Sequence, residues 1–221
     1  LIAKNYQIPT FQRNVVWAQE NVKKLWDSTY KFYPLGSILI WKTDLKLQNH
    51  RQIGGHQITD TNFSRTEYQY ILDGQQRTTS LLTSLYGGSV ENHPNFDPTL
   101  YVDLTIPVDS DTDDESYRNR FLFWTEIDDR NGEIKANIGK KKRFDEGLIV
   151  KLIDIKNNFT IVQTKVFSSP VVKQDFNHSI LSELAKIKGV LDNYRISFIE
   201  VKGIQVSEVC QIFERINQAG K

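Results

Sequence analysis

The sequence predicts an α+β domain in which a small mixed sheet is flanked by helices, and three observations carry that expectation. Strand-like runs and helical stripes alternate along 221 residues with no internal repeat and no low-complexity tract. A hydrophobic content of 39%, with 11% aromatic residues, suffices for the core of one large domain spanning 1–221. Residues 68 to 86 pass from an aromatic and aliphatic run, through a tight polar turn, into a stripe of leucines that Gly87-Gly88 stops.

The elements follow in order. Val22, Leu25, Trp26, Thr29, Phe32 and Tyr33 keep helical spacing from Gln19 to Tyr33, and Pro34 ends that helix before a strand from Gly36 to Trp41. Residues 43–67 are polar and contain Gly54-Gly55, which reads as a surface hairpin or loop. Tyr68 to Leu72 is the next strand, and Leu81, Leu82 and Leu85 mark the helix after it. Leu100 to Ile106 alternates as a strand. Phe121 to Ile127, Asn131-Gly132 and Glu133 to Ala136 read as a hairpin. Phe176, Ile180, Leu181, Leu184, Ile187 and Leu191 form a helical stripe to Asp192, Tyr194 to Val201 a strand, and Val209, Ile212, Phe213 and Ile216 the face of a last helix capped by Ser207.

Composition excludes several functions. Lys plus Arg number 28 and Asp plus Glu 27, so a net charge of +1 gives no overall footprint for nucleic acid, and any DNA contact must be local. A single cysteine, Cys210, rules out an internal disulfide framework; it falls near the core face of the last helix. No apolar run approaches the length of a membrane span, so the chain reads as cytoplasmic. His50, His56, His93 and His178 lack metal-ligand spacing, and no GxxxxGK[ST] sequence is present. The acidic run from Asp109 to Glu115 fails as a calcium loop because Asp114 and Arg120 stand where glycine and glutamate are needed. With Leu1 first and no methionine, the sequence reads as a fragment of a longer protein.

The densest polar cluster is the turn Asp73-Gly74-Gln75-Gln76-Arg77. Gly74 can take a positive φ that lets the main chain approach a ligand, and the N–H groups of the helix's first turn carry the positive end of its dipole. Arg77 adds a fork of donors suited to phosphate, Asp73 can hold a metal-bound water or a proton, and Gln75 and Gln76 offer donors and acceptors.

This turn resembles the DGQQR signature of the N-terminal domain of GmrSD-type modification-dependent restriction systems, a branch of ParB/sulfiredoxin-like domains. Ile8-Pro9-Thr10-Phe11-Gln12-Arg13 with Trp17 resembles that family's opening element, and Phe213 to Gly220 resembles its closing helix, in the same order along the chain. The resemblance implies hydrolysis of a nucleoside triphosphate, with GTP favoured and Mg²⁺ as cofactor, coupled to sensing of modified DNA and to a nuclease domain in the same or a partner chain. On that reading Asp73, Gln75, Gln76 and Arg77 are catalytic, with Asp73 also the metal ligand. Gln12, Arg13, Gly74 and Asn217 bind the nucleotide. Lys140, Lys141, Lys142 and Arg143, the strongest basic cluster, are the local candidate for DNA-backbone contact, against the bland alternative of a solvated charge run. A non-enzymatic ParB-like DNA-binding or sensor module, and a DNA-nicking nuclease, are the rival readings.

Overall fold

The computed structural model describes residues 6–10, 18–48, 52–57, 67–90, 93, 95–106, 116–128, 142–143, 148–174 and 178–219. Their elements, in order, are α1 (Gln19–Tyr30), β1 (Ser37–Thr43), β2 (Gln52–Ile53), β3 (His56–Gln57), β4 (Tyr68–Asp73), α2 (Gln75–Tyr86), β5 (Leu100–Asp103), α3 (Ser116–Arg120), β6 (Phe121–Phe123), β7 (Ile127–Asp128), β8 (Lys142–Arg143), β9 (Ile149–Lys151), α4 (Leu152–Asn157), α5 (Phe159–Ser168), α6 (Pro170–Lys173), α7 (Ser179–Asn193), β10 (Ser197–Lys202) and α8 (Val206–Ala219). The fold is α+β, as the alternation of periodicities predicts. The chain divides into two compact units, one built from residues 1–17, 35–80 and 195–221, the other from 18–34 and 81–194.

The first unit is organised by a three-stranded sheet in the order β10-β1-β4. β1 is central, parallel to β10 and antiparallel to β4, with an irregularity between Leu39 and Ile40 that leaves Asp73 opposite Leu39. Trp41, Tyr70 and Leu72 are buried on one side of the sheet against Val209 of α8. The Tyr70 hydroxyl accepts the Leu47 N–H at 2.7 Å, which ties down the segment after β1. Beyond β4 lies the N-terminal segment. Gln7 bridges Tyr70 in parallel, with the Gln7 N–H donating to Gln69 O and the Ile71 N–H to Gln7 O, both at 2.9 Å.

The second unit carries an antiparallel sheet in the order β6-β5-β9. Leu100, Val102, Phe121 and Phe123 are fully buried in it. Trp26 of α1 donates its indole N–H to Ser84 Oγ at 2.7 Å. The core of this unit also contains charge. Arg120 is 1% exposed and Glu183 of α7 is 0% exposed. Arg120 Nε lies 3.5 Å from Glu183 Oε1, Nη1 lies 3.8 Å from Asp27 Oδ1, and the guanidinium carbon sits 4.3 Å above the Tyr30 ring. The Tyr30 hydroxyl donates to Glu183 Oε2 at 2.7 Å.

Several boundaries differ from expectation for local reasons. α1 stops at Tyr30 because Phe32 turns to a φ of 56° and the Tyr33 N–H reaches back to Ser28 O at 2.8 Å. The run from Phe121 to Ile127 is not one strand. Glu126 Oε2 accepts the Phe123 N–H at 2.8 Å and folds Trp124–Glu126 into a 3₁₀ turn. After it β7 pairs in parallel with β8, and the second arm expected at Glu133 to Ala136 lies outside the described residues. α8 begins at Val206, one residue before the expected cap, and the Gln205 N–H is taken by Glu208 Oε2 at 2.8 Å. Cys210 is exposed rather than near the core face. The loop over 43–67 does contain a hairpin, β2-β3, turning on Gly54 and Gly55, both at positive φ.

Candidate functional site

The Asp73–Arg77 turn forms the strand–turn–helix that its residues dictate. β4 ends at Asp73 and α2 begins at Gln75, with Gly74 alone between them at φ 90°. A side chain there would be strained in backbone and crowded, since a Cβ would come within 3.0 Å of Ile38 Cγ1. Gly74 is buried, while Asp73, Gln75, Gln76 and Arg77 are half-buried. The Thr78 N–H closes the first helical turn on Gly74 O at 2.9 Å, which leaves the preceding N–H groups as the unfilled donors of a helix start.

Arg77 is placed differently from an exposed phosphate fork. Its Nη2 donates to Ser37 O at 3.1 Å and to Asp73 Oδ2 at 2.9 Å, and its Nη1 donates to Leu35 O. The guanidinium is therefore wrapped by the backbone that leads into β1, and its side chain is 29% exposed. Gly36 makes the wrap possible. It stands at φ 77°, and a Cβ on it would lie 2.7 Å from Arg77 Nη1. These three contacts make Arg77 part of the packing of the fold as well as a donor at the turn. Among the described residues nothing takes Nε or the second N–H of Nη1, which can serve a ligand.

Leu35, Gly36 and Ser37 are thus part of the site, and sequence reasoning did not include them. The signal was a glycine between Pro34 and a strand. Gly36→Ala is expected to cost about 2 kcal/mol, from the positive φ and the displaced guanidinium. A thermal melt of the variant checks it, and an unchanged midpoint would show that the wrap adapts.

The other predicted residues divide. Gln12 and Arg13 lie outside the described residues, as do Lys140 and Lys141. Of the described residues just before Gln12, Gln7 bridges β4 in parallel, Ile8 is 1% exposed and the Thr10 N–H donates to Gln48 O at 3.1 Å. Lys142 and Arg143 form β8, and Asn217 belongs to α8, but their side chains are outside what the structure describes. In α8, Ile212, Phe213 and Ile216 are half-buried and Glu214 and Arg215 exposed, as the stripe predicts.

Comparison with known proteins decides the family. The profile of the GmrSD restriction endonuclease N-terminal domain matches residues 1–221. The chain belongs to that family. An uncharacterized protein of Methanocaldococcus jannaschii is 26% identical to it over 241 residues, covering all of this chain. The chain spans 38% of the length of that relative. The family match runs through both compact units, so the GmrSD N-terminal domain comprises the second sheet as well as the one bearing the turn. Among the described residues no helix is long and apolar enough to cross a membrane.

Proposed function

We propose that this chain is the NTP-hydrolysing domain, with GTP the favoured substrate, of a modification-dependent restriction protein that acts in cytoplasmic phage defence. The observation that supports it most is the Gly74 turn itself: a positive-φ glycine delivering a helix start beside one carboxylate, one arginine and two glutamines, within a GmrSD domain. Phosphoryl transfer depends on positioning and charge stabilisation more than on covalent chemistry of the protein. The first-turn amides and the remaining N–H groups of Arg77 would take phosphate oxygens, with Gln12, Arg13 and Asn217 supplied by the other two motifs. Gln75 or Gln76 would orient the attacking water.

Mg²⁺ commonly needs only one or two protein carboxylates because it keeps water and substrate oxygens as its other ligands. Asp73 fits that demand. Its side chain is 41% exposed, and Arg77 engages Oδ2, with no partner for Oδ1 among the described residues. No group of three ligand residues exists among the described ones, so Asp73 would be the anchor. When bound, the metal would neutralise charge between phosphate oxygens. Asp73 itself, held by Arg77, would keep a fixed orientation toward it.

Phosphate release from each NTP with Mg²⁺, with and without DNA, tests the reading when Asp73→Asn serves as the blank. Release of GTP phosphate well above the blank is expected. A second reading has its own support: three contacts of Arg77 go to Leu35, Ser37 and Asp73, which suits a purely structural turn in a DNA-binding or sensor module. That reading predicts DNA binding without release from any NTP.

DNA contact and a nuclease domain elsewhere in the assembly belong to the same proposal. Changing Lys140, Lys141, Lys142 and Arg143 together to serine is expected to leave basal hydrolysis unchanged and weaken DNA binding. The slope of affinity against salt should fall by about one for each DNA phosphate that the variant no longer neutralises. Unaltered affinity at every salt concentration would reduce the cluster to a solvated face.

A further inference from the structure

We propose that a cavity between β5, β9 and α5 in the second unit binds a guanine nucleotide, at a site sharing no residue with the Asp73–Arg77 turn. The cavity measures about 340 Å³, within the range of small-ligand sites. Its wall is aromatic: the rings of Tyr101 and half-buried Trp124 lie 5.5 Å apart at 38°. Two lysines line it, Lys151 and Lys165, with Lys151 Nζ 5.6 Å from the Tyr101 ring centre. One acidic residue lines it as well, Asp154, whose Oδ1 accepts from Asn158 Nδ2 at 3.4 Å.

A ligand that is flat, anionic and presents N–H donors matches the aromatic wall, the lysines and the carboxylate. A nucleotide is all three at once. Its base stacks on the indole, its phosphate takes the lysines, and a base edge meets Asp154. The carboxylate chooses the base. Ionised, it has only acceptor oxygens, and among the common bases guanine alone sets two adjacent donors, N1–H and the 2-amino group, against them. Adenine and cytosine pair a donor with an acceptor on that edge, and thymine puts its single donor between two carbonyls. Tyr101 adds a neutral donor, because burial and the Asp97 and Asp154 carboxylates push its hydroxyl up to about 12. The guanine can come from a free nucleotide or from a nucleic-acid strand, and the recognition chemistry is the same.

Titration of the intact protein with GMP and with AMP, read by tryptophan fluorescence, tests the site. GMP is expected to quench and saturate, with AMP about tenfold weaker. Trp124→Phe should remove most of the quench while a calorimetric titration still shows binding. Asp154→Asn should erase the preference for GMP, and Lys165→Ala, at an exposed position, should weaken GMP but not guanosine. Single-stranded oligodeoxynucleotides with and without guanine separate the sources: tighter binding of the guanine-containing strand than of GMP assigns the pocket to nucleic acid, the reverse to free nucleotide. The proposal is overturned if neither probe saturates. It is equally overturned if circular dichroism shows the variants folded and Trp124→Phe, Asp154→Asn and Lys165→Ala all leave the GMP signal unchanged, since the nucleotide would then be bound elsewhere.

Discussion

Arg120→Met is expected to destabilise the protein by about 3 to 5 kcal/mol, the usual consequence of removing one partner from a buried ionic cluster. Methionine replaces much of the side chain's volume but none of its charge, and it leaves Glu183 fully buried with Asp27 nearby. The effect depends on pH in a definite direction. Burial already holds the Glu183 carboxyl above the usual carboxylate range, with Tyr30, Arg120 and Lys186 pulling it back down. A group whose folded pKa is raised contributes stability that is fully present below its unfolded pKa and is lost as pH rises through its folded pKa. Without Arg120 the folded value rises further, so Arg120→Met should melt closest to the wild type in acid and fall away toward neutral pH. Adding Glu183→Gln should recover much of the loss, because the uncompensated charge is then gone. Melting midpoints of the three proteins across that pH range decide the matter, and an Arg120→Met midpoint equal to the wild type at neutral pH would show that the cluster is solvated.

Arg77→Ala carries the second large effect, and it acts on two measurements. Losing three donated hydrogen bonds, one of them to a carboxylate, should cost about 3 kcal/mol of stability. The same change should lower the proposed NTP hydrolysis about a hundredfold, through a phosphate interaction and through the freed Asp73. Arg77→Lys is expected to rescue neither, since a single ammonium cannot reach Leu35, Ser37 and Asp73 as a planar fork does. Denaturant titration and phosphate release on the folded fraction separate the two roles. Wild-type hydrolysis would remove the turn from the reaction, and a wild-type denaturation midpoint would remove the clasp.

How far these features can be read from the sequence depends on how local they are. The strand, the glycine and the leucine stripe around Asp73–Arg77 are neighbours in the chain, and their order alone yields β4, the turn and α2. The burial of Arg77 comes from Leu35 and Ser37, far upstream, and no periodicity joins them to it. The same limit hid the buried charges. Arg120, Tyr30 and Glu183 lie on three separate helices and meet only after those helices pack. Residues 149–173 were illegible for another reason. β9 runs into α4 with no breaker between Lys151 and Leu152, and α5 is rich in β-branched residues that favour strands in isolation. Tertiary burial of Val162 and Val166 overrides that preference, and the cavity beside α5 was invisible with it.

The parallel pairing of β1 with β10 sets an order of events during synthesis. Ser37 is matched with Ser197, so the central strand of the sheet acquires its second neighbour only after about 160 further residues have been made, and closing so long a loop is slow. Until then β1 has only β4 as a neighbour, with the edge that β10 will occupy bare. Most of the other unit lies within that interval and can fold while the edge waits. The turn between β4 and α2 is therefore translated early, while the sheet face behind it is completed late, when Val209 arrives to cover Trp41 and Tyr70. Truncation before β10 would leave the β1 edge of the sheet that carries the Asp73–Arg77 turn open, a species prone to association through its unpaired backbone.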